Sequence, residues 1–192
     1  MDKAKCSWCQ DGGPIEKYHD EEWGRPCHDD RLLYEYLMLE AMSAGLSWSL
    51  MIKKRDIFHA CFADFDEQKV ATFGEADYDR IIAYPGMIRS RRKIEAMTGN
   101  ARCFIQIQKE YGSFDRYLWH FTNGQTIIYR CHLEGERLTR SELSDEIAKD
   151  LKKRGFKFLG SILVYSFLQA VGIINDHEPH CRLFDEIGGT IR

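Results

Sequence analysis

Few prolines, no long apolar run and no excess of positive charge mark this sequence. Only four prolines occur in 192 residues, and proline-rich disorder and collagen-like repeats are excluded on that ground. No apolar stretch approaches the ~20 residues that a membrane-crossing helix requires. The start, Met1-Asp2-Lys3-Ala4-Lys5-Cys6, lacks the apolar core of a secretory signal, which predicts a cytoplasmic protein with no membrane partner. There is no internal repeat and no low-complexity tract. The formal net charge is -3, so total charge gives no pointer to nucleic acid. The cysteines number seven, an odd count, and they are scattered. In a reducing compartment this reads as free thiols or metal ligands rather than a disulfide framework.

What is present is apolar and helical. With 44% hydrophobic and 12% aromatic residues, the chain can bury a large core. Its length suits one domain, residues 1–192, or two small lobes sharing that core. Residues 1–28 read as irregular. Asp29 or Asp30 caps a helix over Arg31–Ala44. After Gly45-Leu46-Ser47 a second helix is expected over Trp48–Cys61. Short helices follow over 66–73 and 75–84, with Asp66 and Asp77 as caps. Pro85-Gly86 breaks the pattern, and a helix resumes near Arg89 toward Glu110. Phe114–Phe121 reads as a short helix, and Thr126–Cys131 as a brief strand or extended loop. A helix over Ser144–Arg154, capped by Ser144 or Asp145, ends at Gly155. Gly160–Ile173 is a strongly apolar helix, and 175–192 shows little periodicity. The fold class is therefore all-α.

Four places could support chemistry. Cys6, Cys9 and His19 near one end, with His177, His180 and Cys181 near the other, supply more than enough ligands for a tetrahedral zinc. Cys27 and His28 widen the choice, and spacing does not decide it. Such a site would clip the termini together by closing a very long loop. Glu40 follows Leu33 and Leu37 at helical spacing, which puts a carboxylate on a face that should be buried. That is costly unless the group is paired or works in a pocket. Tyr18, Trp23 and Trp48 flank polar or glycine-containing turns, a setting suited to stacking on a planar ligand. Finally, Tyr84-Pro85-Gly86-Met87-Ile88-Arg89 leads into Ser90-Arg91-Arg92-Lys93. This reads as a helix-hairpin-helix near 78–102, in which Gly86, Arg89, Arg91 and Lys93 would grip a DNA backbone. Other basic clusters are Lys53-Lys54-Arg55 and Lys152-Lys153-Arg154 with Lys157. Each of these four places also has a plain structural reading: unligated Cys and His, an edge glutamate, core-filling rings and solvated helix faces.

Together, these places resemble the 3-methyladenine DNA glycosylase I family. The matching stretches are Tyr18-His19-Asp20-Glu21-Glu22-Trp23-Gly24, Leu39-Glu40 through Ala44-Gly45-Leu46-Ser47-Trp48, Gly99-Asn100-Ala101, Lys152 to Phe158, and Asn175-Asp176-His177 to Cys181. The resemblance implies an all-α helix-hairpin-helix glycosylase of two helical lobes that acts on alkylated double-stranded DNA. It implies a structural zinc held by Cys6, His19, His177 and Cys181, with Cys9 and His180 as rivals. It places Glu40 at the catalytic position, Tyr18, Trp23 and Trp48 around the base, and Leu46 as a wedge in the gap left by an extruded nucleotide. A monomer is expected. Ile15 stands where the family often has a second pocket tyrosine, and the group that activates water is left unassigned. The rival readings are a non-catalytic helix-hairpin-helix lesion-binding module, a zinc-dependent hydrolase and a helical interaction protein.

Overall fold

The computed structural model describes residues 4–9 and 12–192 of the chain. Among these, helices dominate, and no helix is long and apolar enough to cross a membrane. One hydrophobic cluster runs from Cys6 to Leu183 and draws on almost every element.

The first helix, α1 (Pro14–Glu21), lies inside the stretch expected to be irregular. Proline at its first position and buried Ile15, Tyr18 and His19 at helical spacing explain it. α2 (Asp30–Ser43) is capped by Asp29, whose carboxylate accepts from the Leu32 N–H at 2.9 Å. Its buried face wraps most of the way round, from Leu33 to Ser43, so it is the central strut of the core. The expected helix over 48–61 is two helices, α3 (Trp48–Lys53) and α4 (Arg55–Cys61), because Lys54 leaves the helical region at φ -105°, ψ 7°. No glycine or proline announces that break.

α5 (Glu67–Val70) and α6 (Glu75–Ala83) are short. Asp66 caps the first as expected, whereas Asp77 acts from the third position of the second, its carboxylate taking the Gly74 N–H at 3.1 Å. The long helix α7 (Arg91–Tyr111) starts two residues later than expected and ends at the left-handed Gly112. α8 (Phe114–Trp119) follows. A brief strand, β1 (Ile127–Ile128), pairs in parallel with β2 (Thr190–Ile191), in the tail that lacked periodicity. α9 (Arg130–Leu133) sits directly after β1. α10 (Glu142–Lys153) is capped by Ser141 rather than Ser144 or Asp145. Ser144 instead returns a bond to the Ser141 N–H from the third position. α11 (Ser161–Ala170) packs against both α10 and α2, and α12 (Arg182–Ile187) precedes β2.

The ends meet by tertiary hydrogen bonds. Ile127 donates to Ile173 O and accepts from Asn175 N, both at 2.9 Å. Arg182 N donates to Ala4 O at 3.0 Å. Gly172 has φ +76°, and a Cβ there would come within 2.4 Å of the Arg25–Pro26 backbone. Only glycine allows that approach.

Candidate active site and metal cluster

α1 delivers two adjacent residues to two different sites. Tyr18 faces a cleft of about 380 Å³, and His19 faces a cluster of cysteines and histidines. The cleft volume lies within the range of small-molecule pockets.

Tyr18, Trp23 and Trp48 all line the cleft, with Glu40 and Leu46. Tyr18 is fully buried, its ring 5.8 Å from that of Trp48, and among the described residues its hydroxyl has no hydrogen-bond partner. Trp23 is 9% exposed. Leu46 is 41% exposed at the rim, on a turn where Gly45 takes φ +78°. Glu40 lies on the inner face of α2 and is 3% exposed. Its one side-chain partner is Ser43, whose hydroxyl lies 3.3 Å from Oε2 and 2.8 Å from the Glu40 carbonyl. Burial pushes the Glu40 carboxyl up to about 8, against a small opposing pull from Ser43. At neutral pH this group mostly keeps its proton, so it can both donate to and accept from a planar ring edge.

Several cleft residues escaped the sequence reading. Trp8 packs edge-on against Trp23 at 4.9 Å and lines the cleft from the N-terminal segment. Its place between Cys6 and Cys9 was the available signal. Ile15, where an aromatic ring was missed, is buried in the core at 6% exposure and is not part of the cleft lining. His132 and Asp176 form the far wall. They are brought together by the β1–Asn175 pairing, which leaves no local pattern in the sequence.

Cys6, His19, His177 and Cys181 form the second site, with one donor atom from each, all within 4.8 Å of one another and every residue buried. Cys181 Sγ lies 3.6 Å from His19 Nε2 and 3.7 Å from His177 Nδ1, and Cys6 Sγ is 3.6 Å from His177 Nδ1. The remaining ring nitrogens are spoken for. His19 Nδ1 donates to Asp20 Oδ1 at 2.9 Å, and His177 Nε2 donates to Trp23 O at 3.1 Å. Both ligating nitrogens are thereby turned inward as lone pairs. Asp20 is desolvated, yet bonds from Lys5, His19 and Arg182 outweigh that and hold it down at about 2. Burial drives His177 down to about 4 and raises the Cys6 thiol. Neutral imidazoles and a costly buried thiolate suit a cation. The four residues could hold a metal. Cys9 turns its thiol to the Cys6 carbonyl, and His180 is exposed beside Lys5 O, so neither joins the four. At Gly24, φ +78°, a Cβ would come within 2.6 Å of His177 Nε2. Glycine is required there if that histidine is to reach Trp23 O.

The residues expected to grip DNA are separated in role. Arg89 is exposed and has no ion pair among the described residues. Arg91 is matched by Glu75, Asp79 and Glu95. Lys93 points inward, its ammonium donating to Met42 O at 2.8 Å and Ala44 O at 2.6 Å, where it caps the end of α2. The Gly86 carbonyl accepts from Lys54. A second helix pair, α10–α11, has a tight connection through Gly155 at φ +101° and Phe158 at φ +60°. There Lys152, Lys153 and Lys157 are exposed and unpaired among the described residues. Asn100 of α7 pins this turn, accepting from Lys157 N at 2.9 Å and donating to Lys157 O at 3.1 Å. Arg92 lies 5.3 Å over the Phe158 ring.

Comparison with known proteins agrees at every level. The family description "Methyladenine glycosylase" matches residues 8–184. The chain is 42% identical over 177 residues to DNA-3-methyladenine glycosylase 1 of Escherichia coli strain K12, covering 92% of this chain and 95% of that one. It is 36% identical to the DNA-3-methyladenine glycosylase of Haemophilus influenzae over 178 residues, 93% of this chain and 96% of that one. Among solved structures, a crystal structure of 3-methyladenine DNA glycosylase I superposes with a TM-score of 0.88 at 41% identity, covering 93% and 98% of the two chains. The Staphylococcus aureus enzyme, solved to explain 3-methyladenine recognition, gives 0.86 at 34% identity over 95% and 97%. Ring-lined cleft, buried carboxyl and terminal cluster thus sit in a chain that belongs to the methyladenine glycosylase family.

Proposed function

We propose that this protein excises 3-methyladenine from alkylated DNA by hydrolysing the N-glycosidic bond of an extruded nucleotide. The observation behind this reading is a buried, nearly unpartnered carboxyl at the base of a cleft lined by aromatic rings. Extrusion costs a few kcal/mol, less for a damaged base. Tyr18, Trp23 and Trp48 then stack on the ring, and a cationic base gains ~0.5–2 kcal/mol from each well-placed face. Glu40 meets the adenine edge. A cation beside it favours the ionised carboxyl, so the proton held by the empty cleft leaves as the lesion enters. The resulting charge opposes the positive charge that builds on the sugar. A neutral base offers no such exchange. This is how Glu40 separates alkylated from ordinary adenine. Leu46, apolar and exposed on the rim, fills the gap in the stack.

We assign zinc to the cluster, with a structural role. Zn–S of about 2.3 Å and Zn–N of about 2.0–2.1 Å at a tetrahedral angle imply S···N separations of about 3.6 Å, which the pairs between sulfur and nitrogen reproduce. Four protein donors leave no open position for water, so the cluster fixes the fold and takes no part in hydrolysis. The DNA backbone grip is shared. Arg89 serves the first hairpin, and Lys152, Lys153 and Lys157, with the uncapped amides at the start of α11, serve the second. Arg91 and Lys93 are kept for internal partners. One chain supplies the whole cleft, so a monomer suffices, and seven free cysteines suit the reducing cytoplasm.

A non-catalytic lesion-binding module shares the hairpins but releases no base. Incubation with methylated DNA, followed by chromatography of the supernatant, separates the two. Free 3-methyladenine is expected from the native enzyme, and its absence would refute the assignment.

A further inference from the structure

α2 does not end on its own amides; a lysine from another helix takes its last carbonyls. Ala44 has φ -45°, ψ 110° and Gly45 has φ +78°, the angles of a type II turn with glycine in its third place. The turn's own hydrogen bond runs from Leu46 N to Ser43 O at 2.6 Å. In the common glycine-ended helix, the Gly45 N–H would return to Met42 O and the Leu46 N–H to Ala41 O. Here Met42 O and Ala44 O accept instead from the Lys93 ammonium, at 2.8 Å and 2.6 Å. Lys93 is half-buried in the first turn of α7 and has no ion pair among the described residues. Partial burial lowers its pKa, and the negative pole of α2 offsets that cost. Leu46, the residue after the glycine, stands exposed at the rim of the cleft.

Building on the reading of Leu46 as the wedge, we infer that Lys93 is the positioning residue that holds this turn outward and so presents Leu46 to the duplex. Its ammonium spans two carbonyls on either side of the point where the chain leaves the helix, and this fixes the departure of Ala44 from helical geometry. Without the ammonium, Met42 O loses its partner, and a buried or half-buried carbonyl seeks another donor. The Gly45 amide is the donor that the chain itself offers. Taking it converts the type II turn into the ordinary glycine cap. In that cap the residue after the glycine packs on the last turn of its own helix, so Leu46 folds back onto α2 and no longer reaches the gap. Lys93 is thus kept from the DNA backbone, where the sequence placed it, in order to aim another residue at the stack. Because α7 begins at the first hairpin, the same bonds couple a backbone held by Arg89 to the wedge.

The test needs no base release. A duplex with a tetrahydrofuran abasic site opposite 2-aminopurine brightens when a side chain enters the gap and displaces that base from the stack. The native enzyme should brighten it, and Leu46→Ala should abolish the rise. Lys93→Met, which keeps the apolar stem and lacks the donors, should lose most of the rise at saturating protein. Its salt slope on undamaged duplex, its zinc content and its affinity for free 3-methyladenine should stay native, whereas loss of a phosphate-gripping lysine would flatten the slope. On methylated duplex its single-turnover base release should slow by about tenfold, since unstacking and unpairing are the costs that the wedge offsets. K93M/L46A should behave as L46A alone, because both changes act through one turn. A native rise in K93M beside a deficient L46A would overturn the inference, as would losses that simply add in the double variant. If K93M does not fold, Lys93→Gln, which keeps a donor without the charge, is read by the same signal, and a native rise there overturns it equally. A native rise in L46A removes the wedge reading and this inference with it. A native enzyme that brightens the abasic duplex but releases no base from methylated DNA fails at the glycosylase assignment instead.

Discussion

Tyr18 and His19 are consecutive on one helical turn, yet the sites they enter follow opposite rules. Around His19 almost every polar atom is satisfied. Asp20 answers to Lys5, His19 and Arg182, and Glu178 accepts from Ser7 and Arg137. Around Tyr18 polar atoms are left wanting. Among the described residues, the tyrosine hydroxyl and Asp176 Oδ1 have no hydrogen-bond partner, and Glu40 has Ser43 as its one side-chain partner. A satisfied network rigidifies, whereas an unsatisfied one stores a demand for a ligand. The contrast separates a region built for stability from one built for binding, within a span of two residues.

Breaking the satisfied side should have the largest effect. Cys181→Ser would leave three ligands for the proposed zinc. Zinc should be lost on dialysis, with a fall in thermal midpoint of about 10 °C or more, measured by calorimetry with and without chelator. A chain that keeps its midpoint without metal would mean that hydrogen bonds alone hold the clip.

On the unsatisfied side, Glu40→Gln should slow base release by about 10²–10³-fold while the protein gains stability at alkaline pH. The folded chain holds the Glu40 proton up to about 8, whereas the unfolded chain releases it near the ordinary value of 4.5. The stability this group contributes is thus full below the ordinary value and is lost as pH rises through about 8. Glutamine removes that dependence, so the variant should overtake the native enzyme between pH 5 and 9 in urea titrations. Parallel curves would show the carboxyl to be hydrated after all.

A smaller effect is expected at Trp8. Its replacement by alanine should weaken binding of free 3-methyladenine by a few-fold, in keeping with loss of one ring face, without altering zinc content. Tryptophan fluorescence titration measures the first and metal analysis the second. Unchanged affinity would confine Trp8 to a bracing role against Trp23.

The smallest change concerns the two hairpins. Lys157→Ala should reduce the slope of log affinity against log salt by about one unit. Arg91→Ala, whose guanidinium is already matched by three carboxylates, should leave it nearly unaltered. Equal slopes would place the backbone contact on the first hairpin.

Residue pattern alone disclosed part of this. Glu40 stood out because an acid on an apolar stripe violates local logic, and the cavity beside it is the reason. Tyr18, Trp23 and Trp48 stood out as rings at turns. The four clustered residues were named through family resemblance, since at least six candidates competed for four positions and spacing did not choose among them. Other features left no local mark. The α3–α4 break at Lys54 has no breaker residue. The inward turn of Lys93 depends on where α2 ends. His132 meets Asp176 only because β1 threads beside residues 173–175. Helix periodicity reports one face of one element, while a contact between remote segments reports how the whole chain is wound.

The seat of Glu40 on α2 has an evolutionary corollary. A helix advances about 100° per residue, and Asp29 fixes where this one begins. Deleting a single residue between the cap and Glu40 would swing the carboxyl a quarter-turn into packed hydrocarbon. Descendants of this chain can therefore retune lesion choice by exchanging side chains at constant register. They cannot do so by lengthening or shortening this strut, a freedom reserved for the exposed loop over 134–140.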